Sequence, residues 1–196
     1  MRAVIQRVLR AKVVVGDEVV SSIGRGLCVL VGIGRDDTDK DMEYIVRKVL
    51  NIRLFEDGDG RRWAESASSL QLEILCVSQF TLHGTLKGHK PDFRLSMAPD
   101  KAPQFYERFM QRLREAYKPE MVKDGRFGAL MQVELVNDGP VTMTIDSAQN
   151  NVSDNNRKVA SGRQRADNPS QTADGVATGS PEVGEQERQE EVSGDP

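Results

Sequence analysis

RAVIQRVLRAKVVVGDEVVSSIGRGLCVLVGI, residues 2–33, holds three apolar runs divided by two tight-turn signals. Arg2 to Val15 is rich in Val and Ile with polar residues interleaved, which reads as one long, bent strand. Gly16-Asp17 supplies a hairpin turn into a second strand, Glu18–Ile23. Gly24-Arg25-Gly26 turns the chain again into Leu27–Ile33, whose continuous apolar run LCVLVGI fits a strand covered on both faces. Three strands joined by such short turns predict an antiparallel meander.

The following residues predict what covers that sheet. Thr38 with Asp41 three positions later is a helix-start signal. Met42, Ile45, Val46, Val49 and Leu50 then recur at the spacing of one buried helical stripe. Asp37, Asp39 and Asp41 alternate as in a calcium loop, but Met42 stands where glycine is needed and no closing Glu follows. A second helix is predicted over 102–117, with Pro103 in its first turn and Phe105, Phe109, Leu113 and Ala116 as its stripe, widened by Tyr106, Met110 and Tyr117. Arg53-Leu54-Phe55 and Trp63-Ala64 flank Asp57-Gly58-Asp59-Gly60, a hairpin signal. Leu72–Val77 is a further apolar strand. Met131–Val136 and Val141–Ile145 alternate like two strands, with Asn137-Asp138-Gly139-Pro140 as the turn between them. The fold class expected is α+β, a mainly antiparallel, barrel-like sheet with two amphipathic helices packed on it.

Composition separates a body from a tail. The chain has 196 residues, 27 Lys+Arg, 30 Asp+Glu and a net charge of −3. Its apolar share is 38%, against roughly 45–50% for ordinary globular domains. The shortfall is local. All aromatics precede residue 128, and residues 148–196 contain no Leu, Ile, Met, Phe, Tyr, Trp or Cys. Such a segment cannot offset a backbone ordering cost of roughly 1–2 kcal/mol per residue, so 148–196 is expected to be a disordered polar tail and 1–147 the folded domain. Five basic residues, four of them within 157–165, and nine acidic ones lie in the tail, leaving the body nearly neutral. Bulk charge therefore excludes histone-like binding, though not a local basic patch or a short basic tail segment meeting nucleic acid or protein. Cys28 and Cys76 sit in apolar runs and fit a reducing compartment, no run of about 18 apolar residues predicts a membrane span, and the charged start does not read as a secretory signal. The expected location is cytoplasmic, with a nuclear fraction allowed.

The standard catalytic signatures are absent. No P-loop, G-x-G-x-x-G or G-x-S-x-G occurs, and Cys28, Cys76, His83 and His89 lack zinc spacing. Neither a metal nor an organic cofactor is expected. Ser78, His83 and Asp92 could be assembled into a triad on paper, as could trios in any chain this size. Three places stand out. Ser78-Gln79-Phe80-Thr81-Leu82 ends an apolar strand, where a sheet delivers polar groups to a site, though local hydrogen bonding would also explain it. Gly139-Pro140 lies where a ladder would lose an N–H, and an X-Pro bond adopts cis more readily than others, though a turn proline would also serve. Lys87-Gly88-His89-Lys90-Pro91-Asp92-Phe93-Arg94 is expected to be a basic loop with an aromatic ring, suited to phosphate and base contacts or simply solvated.

Together, MRAVIQRV, GRGLCVLVGI, SQFTL, KGHKPDF and NDGPVT, in this order over residues 1–146, resemble the D-aminoacyl-tRNA deacylase family. The resemblance implies a homodimer with a cross-subunit active site. Its reaction would be hydrolysis of the ester joining a D-amino acid, or mischarged glycine, to the tRNA 3′ end. It implies that Ser78, Gln79, Phe80 and Thr81 line the aminoacyl-adenosine pocket. Gly139-Pro140 would be a cis dipeptide inserted into the partner's pocket as a chiral filter. Lys87, Lys90, Phe93 and Arg94 are candidates for tRNA contact, and Arg7 for orienting the dipeptide. The polar tail is similar to that of some eukaryotic members, one of which has been described as binding DNA-unwinding elements. The competing expectation is therefore a nucleic-acid-binding adaptor that uses the basic stretch and the tail.

Overall fold

The computed structural model describes residues 1–148; the expected tail lies outside the described residues apart from Ala148. The elements are β1 (Arg2–Val15), β2 (Glu18–Ile23), β3 (Gly26–Gly32), α1 (Asp39–Asn51), β4 (Arg53–Phe55), β5 (Glu65–Ser66), β6 (Glu73–Ser78), a 3₁₀ turn (Phe80–His83), β7 (Thr85–Lys87), β8 (Lys90–Asp92), α2 (Ala102–Ala116), β9 (Val122–Asp124) and β10 (Gln132–Asp146).

β1 organises the main sheet. Its first half pairs with β3 and its second half with β2, both antiparallel, while β10 runs antiparallel along its whole other edge. The expected meander is thus replaced by a split edge: β3 joins β1 directly and never pairs with β2. β6 and β9 then extend the sheet in parallel from β3, in the order β10-β1-β3-β6-β9. The sheet curls until β2 approaches β9, where Ser21 Oγ donates to the Asp124 carbonyl at 2.7 Å. The result is a nearly closed barrel.

Two apolar cores lie on the two faces of this sheet. Ala3, Ile5, Leu27, Val29, Val31, Ile74 and Cys76 pack beneath the helices, against Ile45, Val49, Phe105, Phe109 and Leu113. Val8, Ala11, Val13, Cys28, Leu75 and Val77 fill the barrel interior. β3 and β6 alternate between the two cores, which explains their unbroken apolar runs. β1 changes face along its length: residues 3 and 5 serve the helix side, whereas 8, 11 and 13 serve the interior. Register shifts at Gln6/Val8 and Val8/Arg10 in its pairing with β10 accompany this change of side-chain parity.

Both helices form where expected. The Asp41 carboxylate accepts from the Thr38 amide (2.9 Å) and hydroxyl (2.8 Å) at the start of α1. In α2, Phe105, Tyr106, Phe109, Met110 and Leu113 are buried, but Ala116 faces solvent and Tyr117 closes the stripe by donating to the Leu72 carbonyl at 3.1 Å. The 53–66 segment is a hairpin, with β4 pairing to Glu65–Ser66; Trp63 lies in its turn, not on a strand.

β10 is the larger departure. The two strands expected around Asn137–Pro140 are one strand of 15 residues. The chain does not reverse, because both halves face β1. Val8 aligns with Asn137 and Gln6 with Thr142. The residues between, Asp138 to Val141, bulge out of the ladder.

Candidate active site

β6 and the loop after it build one wall of a cleft. Ser78 is the last residue of β6, opposite Val31, and the Gln79 amide donates to the Val31 carbonyl at 2.8 Å. Phe80 to His83 then wind into the 3₁₀ turn. This turn lies directly on the end of β3: a Cβ at Gly32 would stand 2.7 Å from Leu82 Cβ and 3.1 Å from the Gln79 carbonyl. Only glycine admits that approach. Ser78 and Gln79 are half-buried, while Phe80 and Thr81 are exposed. The Gln79 side-chain amide donates to Thr81 Oγ1, and Ser96 Oγ donates to the Phe80 carbonyl at 2.9 Å. The Phe80 and Thr81 amides stand in the first turn, where a helix offers no acceptor of its own.

The cleft has a volume of about 760 Å³. Ser78, Gln79 and Phe80 meet Phe93 and Arg94 on one side and Phe127 and Met131 on the other. Phe80 and Phe93 contact edge to face at 5.0 Å, and Phe127 is braced on Tyr106 at 5.5 Å. The wall over Phe127–Met131 was not singled out in the sequence. Its signal was present: FGALM is an apolar run in a connection between strands, and Leu130 is 94% exposed.

The segment expected to be a basic loop is instead a hairpin, β7 with β8, whose backbone pairs across a turn at Gly88. It splits the four residues expected to contact tRNA. Phe93 and Arg94 line the cleft, whereas Lys87 and Lys90 project along the hairpin. Asp92 accepts from Arg94 (2.9 Å) and pairs with Lys87 (3.3 Å); hydrogen bonds from the Arg94 backbone and side chain hold its carboxyl below the usual range.

Gly139 and Pro140 are exposed and do not line the cleft of their own chain. The peptide between them is cis, and Gly139 has φ +120°. Arg7 sits behind the bulge, 15% exposed, with Nε donating to the Asp138 carbonyl at 3.3 Å and pairing with its carboxylate at 3.1 Å. Arg7 Nη1 donates to the Leu54 carbonyl at 2.5 Å, and the guanidinium lies 5.9 Å from the Phe55 ring centre. Arg7 therefore grips the residue before the dipeptide and ties the bulge to the β4 hairpin.

The paper triad does not assemble. His83 is buried with Nε2 lacking a partner among the described residues, and Asp92 is engaged by Lys87 and Arg94. Burial pulls the His83 pKa below its ordinary value, so the ring is neutral. It packs against Gly34, whose amide donates to Asp37 at 2.5 Å. Cys28 and Cys76 are buried free thiols, and burial lifts Cys28 to about 11. Among the described residues no three His, Cys, Asp or Glu side chains gather as metal ligands, and no helix is long and apolar enough to cross a membrane.

Residues 4–146 match the family model described as D-Tyr-tRNA(Tyr) deacylase. D-aminoacyl-tRNA deacylase 1 of Bos taurus is 57% identical over 147 residues, 75% of this chain and 70% of the relative. D-aminoacyl-tRNA deacylase of Drosophila melanogaster is 58% identical over 149 residues, 76% of this chain and 94% of the relative. A solved structure named c-Myc DNA Unwinding Element Binding Protein superposes with a TM-score of 0.73 at 56% identity, covering 74% of this chain and 98% of that one. A family model over residues 4–146 and relatives above half identical show that this chain belongs to the D-Tyr-tRNA(Tyr) deacylase family.

Proposed function

We propose that this chain hydrolyses the ester of D-aminoacyl-tRNA to free D-amino acid and tRNA, also clears glycine mischarged on tRNA, and rejects L-aminoacyl esters by their handedness. The observation that carries the reading is a division of labour along the sheet. An open, largely apolar cleft is lined by Ser78, Gln79 and Phe80 at a strand end, with Thr81 exposed next to it in the chain and not in the lining, while Gly139-Pro140 is offered outward on a braced bulge that its own cleft does not use. A second copy completes the site by lending its dipeptide to the first.

An aminoacyl ester is already activated, so attack by water needs position and charge stabilisation more than a strong base. In this reading the amides of Phe80 and Thr81 receive the developing oxyanion, and Ser78 and Phe80 hold the terminal adenosine. The substrate's ribose 2′-OH orients the water. Thr81 acts as a positioning residue: its hydroxyl accepts from Gln79, and the nearest histidine, His83, is buried away with its partnerless nitrogen. In the alternative mechanism Thr81 itself attacks the ester. The Gly139 and Pro140 carbonyls of the second copy crowd the substrate Cα on the side an L side chain needs. A wall of this kind discriminates by clash, which exceeds what an apolar contact supplies. A D side chain points outward, so selectivity among D residues is weak.

The test is single-turnover hydrolysis of D-Tyr-tRNA and L-Tyr-tRNA by wild type and Thr81→Val. Wild type should cleave the D form alone. Thr81→Val should slow it about tenfold if the hydroxyl positions, and abolish it if Thr81 is the nucleophile. Equal cleavage of both enantiomers, or of neither, refutes the reading. The adaptor function is favoured by one observation, the name of the 56% identical solved structure. Deletion of 148–196 separates the two: deacylation should persist, and any DNA or protein partner held by the tail should be lost.

A further inference from the structure

The geometry points to a phosphate-binding groove on the outer side of α1 that grips the backbone of the tRNA acceptor end in trans, beside the second copy's cleft. It rests on the reading that Gly139-Pro140 enters that cleft.

The groove, about 490 Å³ in volume, runs between the C-terminal half of α1 and the end of β10. Tyr44, Arg47, Lys48 and Asn51 form one bank, Thr144 and Asp146 the other. Arg47 Cζ lies 5.9 Å and Lys48 Nζ 5.5 Å from the centre of the Tyr44 ring, so two like charges gather about one aromatic ring. Among the described residues neither is in an ion pair, although most arginines of this body have one. Asp146, the nearest carboxylate on the facing strand, is committed to Arg2 at 2.9 Å. The groove thus presents two uncompensated cations, an amide and a hydroxyl, the donor set that phosphodiester oxygens take and that reads no base. A protein with a nearly neutral body has to concentrate positive charge locally to hold a polyanion.

Position supports the occupant. Thr144 follows Pro140 by four residues on β10, about 13 Å at the usual rise of a strand. A tRNA whose terminal ester sits under one subunit's dipeptide would pass the same subunit's α1 as it leaves the partner's cleft. The cations act on binding of the polymer, at a distance from the scissile bond.

The experiment compares wild type with Arg47→Ala/Lys48→Ala and the charge-retaining Arg47→Lys/Lys48→Arg, with circular dichroism as the folding control. Both side chains are exposed, so neither variant removes a core contact. Binding of uncharged tRNA is measured by fluorescence anisotropy across salt concentrations. The alanine pair should weaken binding about tenfold and flatten the salt dependence by roughly 0.7 in log–log slope per lost phosphate contact. It should raise KM for D-Tyr-tRNA by a similar factor and leave hydrolysis of D-tyrosyl-adenosine, which has no phosphate, unchanged; the charge-retaining pair should restore binding. Unchanged tRNA affinity, or equal damage on the phosphate-free ester, overturns the groove. Wild type that binds tRNA through these residues yet releases no D-Tyr would instead overturn the hydrolytic reading and leave the groove standing.

Discussion

β6 and β10 each carry a short motif proposed to meet the same substrate, but they present it in opposite ways. β6 is buried on both faces and ends at the motif, so its rigidity delivers side chains and turn amides into a cleft. β10 continues through its motif. It bulges at Asp138–Val141 and turns main chain outward, with the half-buried Arg7 bracing Asp138. A strand end suits functional side chains. A braced bulge suits functional carbonyls, because side chains there would obstruct them.

The sharpest way to break this contrast is Gly139→Ala. A Cβ there would lie 2.9 Å from Val141 Cγ2 and 3.1 Å from the Val141 amide nitrogen, at a φ of +120° that disfavours L side chains. D-Tyr-tRNA hydrolysis should fall about 100-fold, the scale of an ångström-level misplacement, while the melting temperature drops only a few degrees.

Arg7→Ala should come next. It strips donors from the Leu54 carbonyl and leaves the Asp138 carboxylate half-buried without its cation, a loss of about 1–3 kcal/mol in chemical denaturation. Activity should fall more than tenfold as the bulge loses its brace. Arg7→Lys should recover stability better than activity, since an ammonium cannot reproduce the two-directional fork. Equal recovery of both would reduce Arg7 to a stability residue.

The smallest effect concerns the opposite motif. His83 is the last, buried residue of the 3₁₀ turn, facing Asp37, Arg2, the Met1 ammonium and the Gly32 backbone. Burial lowers its pKa from the ordinary 6.5. The fold therefore binds this proton less readily than the unfolded chain. Its contribution is fully present above pH 6.5 and is lost as pH falls through the lowered value. His83→Gln should flatten the melting-temperature profile below that pH by ~2 °C per unit. An unchanged profile would show that His83 carries no acid sensitivity.

Much of this was legible along the chain. Helix α1 could be read from Thr38, Asp41 and the Met42–Leu50 stripe because helical contacts are local and leave a period of about 3.6 residues. β3 and β6 were visible as unbroken apolar runs because both their faces are buried. β10 was misread as two strands because Asn137-Asp138-Gly139-Pro140 carries every local mark of a turn. What cancels the turn is pairing with β1 on both sides, and residues 8 and 137 know of one another only in the fold. The Phe127–Met131 wall escaped for a similar reason: five apolar residues in a connection have no period to betray which cleft they face.

Residue order by itself determined the types of α1, α2, β1, β3 and β6, the two apolar stripes and the motifs SQFTL and NDGPVT, all of which depend on neighbours in sequence. Tertiary structure alone decided that β3 joins β1 directly, that β6 and β9 run parallel to β3, and that Gly139-Pro140 faces outward on a bulge held by Arg7. These are contacts between segments as many as 131 positions apart, as for Arg7 and Asp138. Which of the competing pairings wins is settled by the whole core closing at once, and local propensity has no access to that sum.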